Sequence, residues 1–453
     1  MADPIPILHD QNRWWSDPKH RETLQFPYRR PIYEHIREYL GDSHDSRALA
    51  LLGPRQVGKT TLLRQLADDL LRRDWPPGNI TFFDFSDERL VAAVSPREIL
   101  AAAPIGLSAE YPRIFLLDEI QEAVAWQRWL KSAVDHVRRG SGQPARFIVT
   151  GSAATSLREG GVESGQGRWD EVPIEGLTFA EFVRLSVPVE EDLSKSVARE
   201  PQLVERYLEI GGFPAHVRTE PPREARRQVR EDIADRAILR DLRHAGVELD
   251  RVRRLFVYLV AGSGQVWSQG KRADDLEANR KSVGEWLSLL EGTRLVARLE
   301  QDSHSRSRAR AQLRSQPKIF ASDHGLISAF SSYPEPLEVP EVRGRVFEAV
   351  VFRHLRELVR AGQGSLSFAR LDDDLELDFL VRYPRHTVGI EVTASTEARS
   401  RKLTRAAEVM QKTGIDRRLL IHGGLEAGHA KDIELVPFHE FLMAPQRYAG
   451  GPG

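Results

Sequence analysis

The stretch Gly53-Pro-Arg-Gln-Val-Gly58-Lys59-Thr60 sets two glycines, a lysine and a hydroxyl residue at the spacing that cradles a phosphate chain. Glycines let backbone N–H groups converge on phosphate oxygens at a helix N-terminus. Lys59 would then reach the β- and γ-phosphates, and the Thr60 hydroxyl would hold Mg²⁺. The expected nucleotide contacts are Gly53, Pro54, Arg55, Gln56, Val57, Gly58, Lys59, Thr60 and Thr61, with ATP and Mg²⁺ as cofactors. Further along, "RIFLLDEI" ends in Asp118 and Glu119. An acid at the C-terminal end of a core strand lies at the ligand-binding edge of an α/β sheet. Asp118 would bind Mg²⁺ directly or through water, and Glu119 would orient and polarise an attacking water. "RFIVTGS" brings Thr150 and Ser152 to the same edge, either to sense the γ-phosphate or to cap the next turn.

A second set of acids lies far downstream in "LELDFLVRYPRHTVGIEVTAS". Period-2 geometry puts Glu376 and Asp378 on one strand face, and Glu391 and Thr393 on one face of the next strand. Asp378 and Glu391 would ligate Mg²⁺, with Glu348 as an accessory acid from the preceding helix. The pattern resembles the PD-(D/E)xK nuclease core, except that Thr393 stands where such a site keeps a lysine. That lysine would supply positive charge to the scissile phosphate. Lys402, in the following helix, is the candidate substitute; an exposed helical lysine is the plainer reading of it.

The elements that must position these residues are legible around them. "ALALL" reads as a buried parallel strand, followed by the glycine loop and a helix with leucines at helical spacing. "WQRWLKSAVDHVRR" reads as an amphipathic helix with Trp126, Leu130, Ala133, Val134 and Val137 inward. The segment from Pro201 to Gly246 has helical periodicity, with Gly211, Gly212 and Pro214 ending one helix. Arg236, Arg240 and Arg243 share one helical face there, as a nucleotide sensor or a solvated basic face. From Arg251 the order is helix, short apolar segment, helix, turn, helix, strand, a winged-helix pattern. Its second motif helix, about Arg280–Glu291, would face DNA through Arg280 and Lys281. The next segment, "HSRSRARAQLRSQPK", corresponds to the wing. It carries Arg306, Arg308, Arg310, Arg314 and Lys318, expected to reach phosphates or to form a solvated loop.

In order along the chain, "LLGPRQVGKTTLLRQL", "FLLDEIQ", "VTGSAATSL", "GRWDEVPIEGLTFAEF", "GGFPAHVR" and "KIFASDHGL" resemble the prokaryotic AAA-type ATPases of the AAA-14/DUF4143 type. The resemblance covers roughly residues 25 to 425. It implies an α/β fold: a P-loop AAA+ parallel-sheet core, a helical lid, a winged-helix domain and a restriction-endonuclease-like α/β domain. The corresponding boundaries are an extension at 1–25, the ATPase core at 26–185, the lid at 186–245, the winged helix at 246–335 and the nuclease-like domain at 336–453. By family order Arg168 falls where an arginine finger reaches a neighbour's ATP site, which would require a homo-oligomer, plausibly a hexameric ring. A local structural role for Arg168 is the alternative.

With 453 residues the chain is long enough for several domains, and with no cysteine it can form neither disulfides nor thiolate metal sites. A net charge of −1 gives no global attraction to nucleic acid, so any basic surface must be local. No apolar run has membrane-spanning length and the N-terminus has no signal-peptide core, so a cytoplasmic protein without a membrane partner is expected. Three functions stay open: an ATP-driven machine acting on DNA with a non-cleaving nuclease-like domain, a nucleotide-switched regulatory ATPase binding a protein, and an ATP-gated metal-dependent nuclease. "QNRWWSDPKH" near the N-terminus would serve docking to a partner or bracing of the ATPase core.

Overall fold

The computed structural model describes residues 4–17, 28–41, 47–90, 94–104, 108–140, 144–151, 167–186, 200–242, 246–302, 316–362, 364–370, 376–396, 407–408, 410–411 and 415–451. The chain divides into two compact units, Met1–Glu175 and Gly176–Gly453.

The first unit is built on five strands: β1 (Ala48–Leu52), β2 (Ile80–Asp84), β3 (Arg113–Asp118), β4 (Ala145–Gly151) and β5 (Trp169–Pro173). All pairings are parallel, in the order β2-β3-β4-β1-β5. The strands read as unbroken apolar runs because both sheet faces are covered. On one face Ala48, Ala50, Leu52, Phe115, Leu117 and Val149 pack with Leu130 and Val134 of the Trp126–Arg138 helix. On the other, Leu49, Leu51, Leu116 and Ile148 pack with Leu62, Leu63 and Leu66 of the Lys59–Arg72 helix. Period-2 alternation along each strand thus feeds two separate cores.

β2 is an edge strand, and the N-terminal segment closes that edge. The Asn12 side chain accepts from Phe82 N at 2.7 Å and donates to Phe82 O at 2.7 Å. Gln11 accepts from Asp84 N at 2.9 Å, and the indoles of Trp14 and Trp15 both donate to Ile80 O, at 3.1 and 2.9 Å. Side chains here satisfy the backbone groups that a sixth strand would otherwise pair. Of the two roles open to the tryptophan pair, the geometry is that of a brace.

The second unit begins with helices Phe179–Ser186, Glu200–Ile210 and Pro222–Gln228, the last running on into π-helical turns at Val229–Asp235 and Ala237–Asp241. Next come helix Leu249–Ala261, β6 (Gln265–Val266), helices Gln269–Asp275 and Arg280–Gly292, β7 (Val296–Leu299) and β8 (Lys318–Ala321). The three strands form an antiparallel sheet in the order β6-β8-β7. Helix Pro340–Ala361 leads into a mixed sheet of β9 (Ser365–Arg370), β10 (Glu376–Tyr383), β11 (His386–Thr393), β12 (Arg417–His422), β13 (Gly428–Ala430) and β14 (Ile433–Pro437), ordered β13-β14-β12-β11-β10-β9. Stacked rings of Phe320 from β8 and Phe352 from the long helix, 4.2 Å apart, tie the two sheets into one core.

A buried polar network accounts for the Gly-Gly and Ser-Asp-His-Gly motifs. The carboxylate of Asp323 accepts from Gly212 N at 3.0 Å and Gly325 N at 2.9 Å. Gly211 has φ +83°, and a Cβ there would fall 2.2 Å from Asp323 Oδ1, so both conformation and space demand glycine. The segment entering this unit is held the same way. Gly176 O accepts from Arg353 Nη2 at 2.6 Å, and Phe179 N donates to His354 Nε2 at 3.1 Å. His354 is buried and its Nδ1 lies 2.8 Å from Val350 O, so Nδ1 carries the proton. Burial pushes its pKa down to about 3.

Candidate nucleotide site and a second acidic cluster

At the end of β1 the chain turns through Gln56 (φ +60°) and Gly58 (φ +96°) before the Lys59–Arg72 helix starts. Gly53 is packed so closely that a Cβ would lie 2.1 Å from Ile174 O. Lys59 is only 4% exposed. Its Nζ donates to Gly53 O at 3.0 Å and Pro54 O at 2.9 Å, and lies 3.7 Å from Glu119 Oε1. The ammonium is thus held by the carbonyls of its own loop. Arg30 buttresses the loop from outside by donating to Val57 O at 3.3 Å and Glu175 O at 2.9 Å.

β3 delivers Asp118, which is 1% exposed. Its carboxylate accepts hydrogen bonds from the hydroxyls of Thr60 and Thr150. Burial, followed by the neighbouring charge of Glu119, pushes its pKa up to about 6. Thr150 accepts from Glu119 N at 3.0 Å, so β4 fixes the backbone on which Glu119 is presented. Glu119 sits in the left-handed region at φ +48°. Burial opposes ionisation of its carboxyl, but Lys59, Gln121 and Arg55 outweigh it and hold the pKa below the usual value. Gln121 Nε2 donates to Glu119 Oε2. Gln121 was invisible to sequence reasoning because nothing in its spacing marks it.

The structure brings Gly53, Lys59, Thr60, Asp118, Glu119 and Thr150 together. Ser152 lies outside the described residues. Arg168, in the turn just before β5, forms an ion pair with Asp135 of the Trp126–Arg138 helix, Nε to Oδ1 3.3 Å.

In the second unit, β10 and β11 bring Asp378 and Glu391 side by side. Glu391 Oε2 accepts from Asp378 N at 3.3 Å, and Asp378 Oδ2 accepts from Val392 N at 2.9 Å. Glu348, from the Pro340–Ala361 helix, and Glu376 face the same point. What stands at that point is Lys318 Nζ: 2.6 Å from Glu376 Oε1, 3.3 Å from Glu348 Oε1 and 3.7 Å from Asp378 Oδ1. The Lys318 side chain is 3% exposed. This corrects the expectation that Lys318 belongs to a phosphate-reaching wing. As the first residue of β8 it is drawn inward by three carboxylates, and its basic character alone gave no sign of that. Lys402 lies outside the described residues, as do Arg243, Arg306, Arg308, Arg310 and Arg314.

The Arg280–Gly292 helix is capped by Asn279, whose side chain accepts from Ser282 N at 2.8 Å. Lys281, on its first turn, is 88% exposed and 3.9 Å from Glu285; Arg280 is exposed beside it and rests on Gly270. Between the two π-helical turns, Arg236 pairs with Asp232 at 3.0 Å. Among the described residues, no helix is long and apolar enough to cross a membrane.

Residues 45–183 match the family model AAA_14, described as an AAA domain. Residues 201–336 match DUF8612 and residues 343–441 match DUF4143, both described as domains of unknown function. Two uncharacterized mycobacterial proteins, Mb2031c of Mycobacterium bovis and Rv2008c of Mycobacterium tuberculosis, are each 27% identical over 416 residues, covering 90% of this chain and 84% of theirs. Among solved structures, the Aeropyrum pernix ORC1 protein in complex with DNA is similar at a TM-score of 0.30 and 15% identity, over 72% of this chain and 97% of that one. AMPPCP-bound DnaA from Aquifex aeolicus is similar at 0.24 and 13%, over 57% and 86%. With an AAA domain on the parallel sheet that holds Lys59 and Asp118, and a DUF4143 domain downstream on the same chain, the protein belongs to the AAA_14/DUF4143 family of AAA-type ATPases.

Proposed function

We propose that this protein hydrolyses ATP in its first unit and uses the nucleotide cycle to act on DNA held by its second. The observation that carries the ATPase reading is the convergence of Lys59, Thr60, Asp118 and Glu119 at one end of the parallel sheet. A magnesium ion fits there: the buried Asp118 carboxylate and the Thr60 hydroxyl already meet, and burial makes the charged carboxylate costly without a cation beside it. Thr60 and Asp118 would hold the ion, which when bound neutralises charge on the phosphates. Lys59 exchanges its loop carbonyls for phosphate oxygens. Glu119, ionised at neutral pH, orients a water and accepts its proton. Thr150 keeps Glu119 in register by bonding its backbone N–H. Arg168 is the candidate finger across a homo-oligomeric interface, in a ring that we take to be hexameric; it would leave Asp135 to do so.

The DNA half of the proposal is supported by the second unit's order of helix, strand, helix, helix and antiparallel strands, which we read as a winged helix. The exposed Arg280 and Lys281 at the start of its second motif helix add to that support, as do the arginines at 306, 308, 310 and 314. The mixed sheet carrying Asp378 and Glu391 is read as a nuclease-like scaffold that does not cleave. The test is ATP turnover with and without duplex, branched and single-stranded DNA. Stimulation by one of these, with the DNA recovered uncut, is the expected result. Unchanged turnover together with no DNA binding at low salt would overturn the DNA half and leave a nucleotide-switched ATPase.

A further inference from the structure

The acids Glu348, Glu376, Asp378 and Glu391 come from a helix and two strands to the place where Mg²⁺ was expected, but among the described residues no group of three or more acidic or histidine side chains is arranged to hold a metal ion. They do not fit one. Lys318 Nζ lies within 3.7 Å of oxygens from three of them. Mg²⁺ requires oxygens at roughly 2.0–2.1 Å in octahedral array. An ion that close to the same oxygens would crowd the ammonium and repel it at short range. Two further oxygens of the cluster already accept backbone N–H groups: Asp378 Oδ2 takes Val392 N and Glu391 Oε2 takes Asp378 N.

The ammonium suits the cluster in number as well as charge. It has three N–H donors and faces three carboxylates. The Phe368 ring, 5.4 Å from Nζ, faces it as well, and an aromatic face favours a cation. On the other side Gly264, at φ +83°, presses its backbone against Glu348: a Cβ there would lie 3.0 Å from both carboxylate oxygens.

We propose that Lys318 is a built-in counter-ion that occupies the metal position of the acidic cluster, making the C-terminal sheet metal-independent and clamping β8 to it. The inference deepens the non-cleaving part of the proposed function. It also replaces the Mg²⁺ expected at Asp378 and Glu391, and the lysine expected near Thr393, with one residue from another sheet.

The test is a Mn²⁺ titration of the full chain without nucleotide or DNA, read by the electron paramagnetic resonance of free Mn²⁺ and by the shift in Tm. Four proteins are compared: wild type, Asp378→Asn, Lys318→Met and the double variant. Any weak Mn²⁺ binding at the nucleotide loop is common to all four and cancels. Wild type and Asp378→Asn are expected to bind Mn²⁺ alike. Lys318→Met is expected to have a lower Tm in EDTA, to gain one saturable Mn²⁺ site and to recover Tm as that site fills; the double variant loses the gain. Weaker Mn²⁺ binding in Asp378→Asn than in wild type would overturn the proposal, because a metal would then coexist with Lys318. So would a folded Lys318→Met that gains no site. Should Lys318→Met fail to fold, the wild-type and Asp378→Asn pair still decides. With no DNA present, failure here leaves the DNA reading standing, and failure there leaves this one.

Discussion

Lys59 Nζ lies 3.7 Å from Glu119 Oε1, and the proposed mechanism gives the two residues different tasks, so substituting each should separate binding from chemistry. Lys59→Ala removes a charge-assisted contact to phosphate and is expected to weaken ATP binding by roughly ten- to a hundredfold. Glu119→Gln keeps the shape and the neighbours but cannot take a proton. ATP binding should persist while kcat falls by roughly two to four orders of magnitude. Equilibrium binding and single-turnover hydrolysis measured on the same preparations check both; normal turnover in Glu119→Gln would remove its assigned role. The first four residues of this site lie within one loop or at one strand end, so their partnership was readable. Thr150 was legible as a residue of this edge, but its bond to Glu119 N depends on β4 lying beside β3, and the Gln121 bond to Glu119 depends on the turn after β3; spacing encodes neither.

At the scale of elements, the edge of β2 offers the sharpest test. Asn12 is fully buried and serves both the N–H and the carbonyl of Phe82. Asn12→Ala leaves both without partners and is expected to cost about 2–4 kcal/mol, read as a lowered urea midpoint of the first unit. A cost near zero would mean that the N-terminal segment is no brace. The junction of Gly176–Phe179 with the Pro340–Ala361 helix gives a pH prediction. His354 is neutral in the folded protein and its pKa is lowered from 6.5 to about 3. The unfolded chain therefore binds the extra proton between those values. The stability contributed by a neutral His354 is complete above about pH 6.5 and is lost as pH falls toward 3, to a limit of roughly 5 kcal/mol. His354→Gln should flatten that acid limb by about one proton, measured from the slope of unfolding free energy against pH.

For the whole molecule the expectation is coupling between ATP turnover and DNA, with a local basic surface on a chain of net charge −1. If Arg280 and Lys281 each neutralise a phosphate, the double alanine variant should lower the slope of log affinity against log salt by about two. It should also weaken binding to unrelated sequences alike. An unchanged slope would move the DNA surface elsewhere. A finger role for Arg168 predicts that ATPase activity per subunit rises with protein concentration and that Arg168→Ala abolishes the rise without changing nucleotide affinity.

The sequence by itself determined the α/β class, the glycine loop and the helix behind it, the strand ending in Asp118 and the strand carrying Asp378. Those signals are local: a loop cradling phosphate and a period-2 strand are each complete within about ten residues. Tertiary structure alone decided that Asn12 and both tryptophans close the β2 edge, and that the lysine among the downstream acids is Lys318. Both depend on which distant backbone segments lie side by side. That is settled by packing of the sheets, and no spacing along the chain records it.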